Sequence, residues 1–203
     1  VADNGCKDSL DYLIKLGNVD FQAPNQWGFT PLHHACRQPD NSYRNTNKLL
    51  KSIQPDINVQ TTSGWTALHL ACVNAPYTTV DLLLKYDANI QLRDNSGETV
   101  FHTAVQNDNQ NGFVGLVIER FVEKYPEMVN LQRKDGKTFL HLVCEENDVE
   151  LLRNLVEDFC SLLDFNVLTN EGLTPLHIAA KNGHVEVVKF LLENSTKLKI
   201  NVN

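Results

Sequence analysis

The stretch Gly172-Leu173-Thr174-Pro175-Leu176-His177 decides the reading of this chain, because its frame occurs five times. The other copies are Gly28-Phe29-Thr30-Pro31-Leu32-His33, Gly64-Trp65-Thr66-Ala67-Leu68-His69, Gly97-Glu98-Thr99-Val100-Phe101-His102 and Gly136-Lys137-Thr138-Phe139-Leu140-His141. Their threonines stand 36, 33, 39 and 36 residues apart, a period that marks a repeat architecture. Glycine suits a tight turn at positive φ. Threonine is a good helix N-cap, and proline after it is pre-set for the first helical turn. Histidine three residues past the cap can bond back to the threonine, as glutamate does in a capping box.

Two residues, mostly small, follow each frame: Ala35-Cys36, Ala71-Cys72, Ala104-Val105, Val143-Cys144 and Ala179-Ala180. They let neighbouring helices approach closely. A second apolar-periodic run comes next, plainest in Val185–Leu192, Val80–Leu84 and Leu151–Val156, with the i, i+3, i+4 spacing of an amphipathic helix. The unit is turn, helix, loop, helix. One unit cannot bury its own apolar faces and must stack on its neighbours.

The frame resembles the ankyrin repeat, and the likeness covers essentially the whole chain. It implies an all-α solenoid of paired antiparallel helices with short β-hairpin fingers. The boundaries that follow are a partial repeat at 1–22, repeats at 23–58, 59–91, 92–130, 131–166 and 167–198, and the start of a further hairpin at 199–203, all within one domain. Repeat one is lengthened around Arg37–Asn47, repeat three between Gln106 and Asn130, with a longer second helix near Phe113–Tyr125 stopped by Pro126, and repeat four around Phe159–Leu163. Lys7–Gly17 reads as the second helix of an earlier repeat that lacks its first. The chain opens at Val1 and shows no clear cap at either end, so a segment of a longer protein is expected.

Composition narrows function. The 203 residues carry 18 Lys+Arg against 25 Asp+Glu, a net charge of −7. With no basic cluster, neither nucleic acid nor an anionic membrane surface is an expected partner. No run of 18 apolar residues exists, so membrane insertion is not expected. Five cysteines and no signal peptide point to an intracellular, cytoplasmic or nuclear, setting. The pairs His33/Cys36, His69/Cys72 and His141/Cys144 share helix faces, but zinc wants four ligands, and each pair belongs to a different repeat. The histidines are read as caps and the cysteines as small core residues; no metal, cofactor or small-molecule substrate is expected. His34 is expected on the exposed side of its helix. Carboxylates such as Glu145, Glu146, Asp148 and Glu150 read as a solvated face. No catalytic constellation is found.

The resemblance implies a non-catalytic scaffold or adaptor module that binds another protein or peptide along the hairpin tips and the concave face of first helices. The positions that the frame leaves free give the candidate contacts Trp27, Phe29, Arg37, Trp65, Glu98, Lys137, Glu145 and Leu173. Trp27, Phe29 and Trp65 stand out, since binding hot spots are enriched in aromatics. The alternative for the two tryptophans is packing between hairpins. Other readings that the resemblance allows are an inhibitor of a transcription factor, the cytosolic segment of an ion channel, and the substrate-recruiting arm of an enzyme. It also makes Asn58, Asn130 and Asn166 formal hydroxylation targets, although their expected role is local stabilisation of the turns.

Overall fold

The threonine caps launch the helices where the frame puts them. The computed structural model describes residues 7–105, 115, 119–122 and 125–201, in two compact units that meet in sequence at Asn95 and Ser96. The first unit holds α1 (Lys7–Leu16), α2 (Pro31–Arg37), α3 (Ser42–Ser52), α4 (Ala67–Asn74) and α5 (Tyr77–Lys85). The second holds α6 (Val100–Val105), a 3₁₀ turn (Pro126–Met128), α7 (Phe139–Glu145), α8 (Val149–Phe159), α9 (Pro175–Lys181) and α10 (Val185–Glu193).

Within each unit, first helices stack on first helices and second on second. In the first unit α2 packs on α3 and α4, α3 on α5, and α4 on α5; in the second α7 lies between α6 and α9, with α8 and α10 behind. The small pairs fill the closest approaches: Ala35, Cys36, Ala71, Cys72, Val143 and Cys144 are fully buried. Burial pushes the Cys36 and Cys144 thiols up to about 12 and the Cys72 thiol up as well, because a thiolate there would be stripped of water. In the second unit Phe101 meets Phe121 edge-on, ring centres 5.2 Å apart, and Phe139 at 6.0 Å.

Two expectations change, and a third falls largely outside the described residues. The fingers form, but among the described residues they contain no strand. Each is a tight turn closed by a pair such as Thr61 N–H to Trp65 O at 2.8 Å, or Thr169 N–H to Leu173 O at 2.9 Å. Neighbouring fingers of a unit share one backbone bond, Thr62 to Trp27 (3.0 Å) or Asn170 to Asp135 (2.9 Å), which is too few for a ladder. His34 is half-buried, its ring 5.5 Å from that of Phe29, so it is not a freely exposed residue. The long second helix of repeat three lies largely outside the described residues. Residues 115 and 119–122 are helical, Tyr125 is not, and Pro126 opens the 3₁₀ turn.

Gly136 shows why the frame needs glycine. Its φ is +82°, and a Cβ there would stand 2.6 Å from the backbone nitrogen of Asn170 in the next finger. Gly172 has φ +76° but nothing within 4 Å. Gly172→Ala is therefore expected to cost about 1–2 kcal/mol, the left-handed penalty alone, and Gly136→Ala clearly more. Urea unfolding of the two variants checks this; equal losses would sink the close-approach explanation.

Candidate functional site

The candidate surface is built from the fingers and the first helices, and one histidine per repeat joins them. Thr30, Thr66, Thr99, Thr138 and Thr174 each donate their backbone N–H to Nδ1 of the histidine three residues on, at 3.0–3.3 Å. Nδ1 is thereby an acceptor, which leaves the ring proton on Nε2. In three repeats Nε2 donates to a carbonyl of the following finger: His33 to Trp65 (3.2 Å), His102 to Lys137 (3.1 Å) and His141 to Leu173 (3.1 Å). In the His33/Cys36 and His141/Cys144 pairs both ring nitrogens are occupied by the backbone and the thiols are sealed in the core, so these two pairs offer no open donor set. Among the described residues no group of three or more His, Cys, Asp or Glu side chains is placed to hold a metal ion.

The carbonyls so held belong to Trp65, Lys137 and Leu173, three of the candidate contact residues. Their backbone is fixed by the repeat before them, while their side chains take different environments. Trp65 is half-buried, its indole N–H donating to Asp94 at 3.1 Å and its ring lying 6.3 Å from that of His69. Trp27 is 59% exposed at the tip of its finger, and Arg37 is exposed at the end of α2. Phe29, half-buried, points into a cavity walled by Leu10, Leu13, Phe21, Pro31 and His34.

In the second unit Lys137, Glu145 and Leu173 come together in one cleft of about 270 Å³, with Asp135, Glu171 and Lys181 on its walls. Lys137 Nζ reaches both oxygens of Glu145, at 2.8 and 2.7 Å. Glu145 is therefore a paired group, and Asp148 also leaves the solvated face: its carboxylate caps α8 through the Leu151 N–H at 2.8 Å. Glu98 is almost buried and bonds the Arg133 guanidinium at 2.5 Å, while the same guanidinium grips Asp135 at 2.8 Å with two nitrogens. Arg133 and backbone Lys137 hold the Asp135 carboxyl at about 2 against the opposing effect of burial.

Sequence reasoning missed Arg133 and Asp94, which organise two of the candidates, Glu98 and Trp65. It also placed the asparagine bonds too locally. Asn58 accepts from Asn89 N–H (2.8 Å), Asn130 bonds Leu162 O (2.7 Å) and Asp164 N–H (3.0 Å), and Asn166 bonds Lys199 O (2.9 Å) and Asn201 N–H (2.8 Å). These side chains tie one repeat to the next. Gln60 and Gln132, each six residues before a threonine, do the same through Arg93 O and Leu168 O, both at 2.8 Å; that shared offset was the available signal.

This arrangement is an all-α repeat solenoid with side chains presented from fixed fingers. The family model for ankyrin repeats (3 copies) matches residues 40–125 and 110–203. A putative ankyrin repeat protein of Fowlpox virus (strain NVSL) is 32% identical over 154 residues, 73% of this chain and 43% of that protein. A probable 26S proteasome regulatory subunit, p28, of Saccharomyces cerevisiae is 31% identical over 168 residues, 79% of this chain and 67% of that one. A chain from the solved complex of the Bd0816 predatory endopeptidase of Bdellovibrio bacteriovorus with immunity protein Bd3460 superposes with TM-score 0.82 at 23% identity, over 95% of this chain and 94% of that one; the likeness is one of fold. The chain belongs to the ankyrin-repeat family, whose repeats are protein–protein interaction modules and generally non-enzymatic. It spans less than half the length of the fowlpox relative. Among the described residues no helix is long and apolar enough to cross a membrane.

Two expectations follow from this geometry. Burial is the chief cause holding the His33 and His141 imidazoles below their ordinary value of 6.5, against the raising effect of their carbonyl bonds. The unfolded chain thus binds more protons just below pH 6.5, so the stability these rings contribute is complete above 6.5 and is lost as pH falls through the folded values. Urea midpoints should drop from pH 7 to pH 5, and His33→Gln and His141→Gln should each flatten that slope. Arg133→Met, which strips the guanidinium from an almost buried carboxylate, should cost about 1–3 kcal/mol, with part of the loss recovered in Glu98→Gln/Arg133→Met. A double variant as unstable as the sum of the singles argues against the pairing.

Proposed function

We propose that this chain is a non-catalytic, intracellular recognition segment that holds another protein or peptide against its fingers and first helices, without a cofactor. The partial repeat at 1–22, the five repeats from 23 to 198 and the hairpin start at 199–203 are its working units. Trp27 is the observation that carries the reading: a large ring 59% exposed on a finger tip keeps apolar surface in water, which contact with a partner would remove. Arg37 and Trp65 extend the contact in the first unit, and Phe29 stands beside them. In the second unit Lys137 and Glu145 form the polar counterpart, with Leu173 beside them and Glu98 set behind against Arg133; paired charges there favour specificity and on-rate over affinity. The yeast relative is named a probable regulatory subunit, which fits work done by binding.

The test is capture from a lysate of the source cells, followed by titration of the captured protein. Trp27→Ala should weaken that complex roughly 30-fold, the effect of about 2 kcal/mol at a hot spot, with unfolding unchanged. Undiminished affinity in Trp27→Ala, and also in Lys137→Ala/Glu145→Ala, would dismiss the finger surface.

A further inference from the structure

The cleft that gathers Lys137, Glu145 and Leu173 carries its charge in layers. Arg133 meets Asp135 with side chains 19% and 44% exposed, and Lys137 meets Glu145 at 21% and 35%. Lys181 and Glu171, a looser pair at 3.6 Å, stand at 66% and 74%. In all three pairs the carboxylate is the outer member. Cations lie beneath, so an approaching partner meets negative charge first.

Those carboxylates also keep acceptor capacity, since an ionised carboxylate offers about four acceptor positions. Asp135 accepts from two Arg133 nitrogens and from the Lys137 N–H. Glu145 accepts only from Lys137 Nζ, and Glu171 has the loose Lys181 contact, among the described residues. The walls are already set: His184 Nε2 donates to Glu145 O at 2.8 Å, and Asn170 N–H to Asp135 O at 2.9 Å. Leu173 and Ile178 add an apolar lining. At about 270 Å³ the cleft falls below the roughly 300–1,000 Å³ of small-molecule pockets and suits one long side chain.

Resting on the recognition reading above, we propose that the cleft receives an arginine side chain from an extended segment of a protein partner. Its methylenes run along Leu173 and Ile178, as long cationic side chains do on apolar surface, and its guanidinium bonds Glu145 and Glu171. Arginine is preferred over lysine because its planar fork serves two carboxylates at once. The finger position three before the threonine, which carries Trp27 in the first unit, carries Asp135 and Glu171 here.

N-acetyl-arginine amide is the probe, titrated at low salt into isotope-labelled chain and followed by amide chemical shifts. Saturable shifts should centre on Asn170, Glu171, Leu173 and Asn182. N-acetyl-lysine amide should bind more weakly, and N-acetyl-citrulline amide, similar in shape but uncharged, should give no saturable shift. Glu171→Gln should weaken the arginine probe about three- to fivefold, the worth of an exposed ion pair, with an unchanged urea midpoint. Lys181→Gln, which removes the competing ammonium, should tighten it. No saturable shift with the arginine probe, an equal response to the lysine or citrulline probe, or undiminished binding in Glu171→Gln overturns the proposal. The recognition reading fails separately: a captured protein weakened by Trp27→Ala but not by Glu171→Gln leaves the module standing and overturns the arginine.

Discussion

The stack turns on a neutral imidazole that three of the five repeats hold at both ends. Its Nδ1 accepts from the capping threonine of its own repeat, and its Nε2–H reaches the finger of the next. The first bond starts a helix that is too short, at seven residues or so, to hold itself together in water. The second fixes where the following repeat begins. One side chain so couples local helix initiation to the vertical spacing of the stack, and only the neutral ring has the donor and the acceptor to do both.

That coupling explains why conserved-looking frame and variable surface sit side by side. The carbonyl that receives Nε2 belongs to the residue just before the next threonine, the position whose identity changes from Trp65 to Lys137 to Leu173. The backbone is pinned, so any side chain can be displayed there without moving the finger. What that side chain does then depends on its neighbours. Trp65 is tied to Asp94 and Lys137 to Glu145, whereas Trp27, three residues before its threonine, keeps most of its ring in solvent. Two tryptophans on neighbouring fingers thus differ in how free they are to meet a partner.

The helices and the caps were legible in the sequence because they depend on contacts three or four residues apart. The frame of Gly136 to His141 contains its own turn, cap and capping partner. The cross-repeat bonds were not, since the partner of Asn130 stands at Leu162 and that of Glu98 at Arg133, and nothing local marks either pair. The absence of strands among the described fingers has a similar origin: the glycine turn signal is local, but a ladder needs successive bonds that neighbouring fingers, meeting at a single N–H, do not supply. His34 was misjudged because its exposure is set by Phe29 across the finger and not by its own helix.

The sealed thiols have a use outside the cell. Cys36, Cys72 and Cys144 each lie fully buried on a first helix, protonated and out of reach of water. A thiol reagent can meet them only when the helices part, because the thiolate is the reacting species. They are therefore native clocks on opening: two report the first unit and one the second. Alkylation rates read cysteine by cysteine would give the local unfolding free energy of each unit without any introduced label.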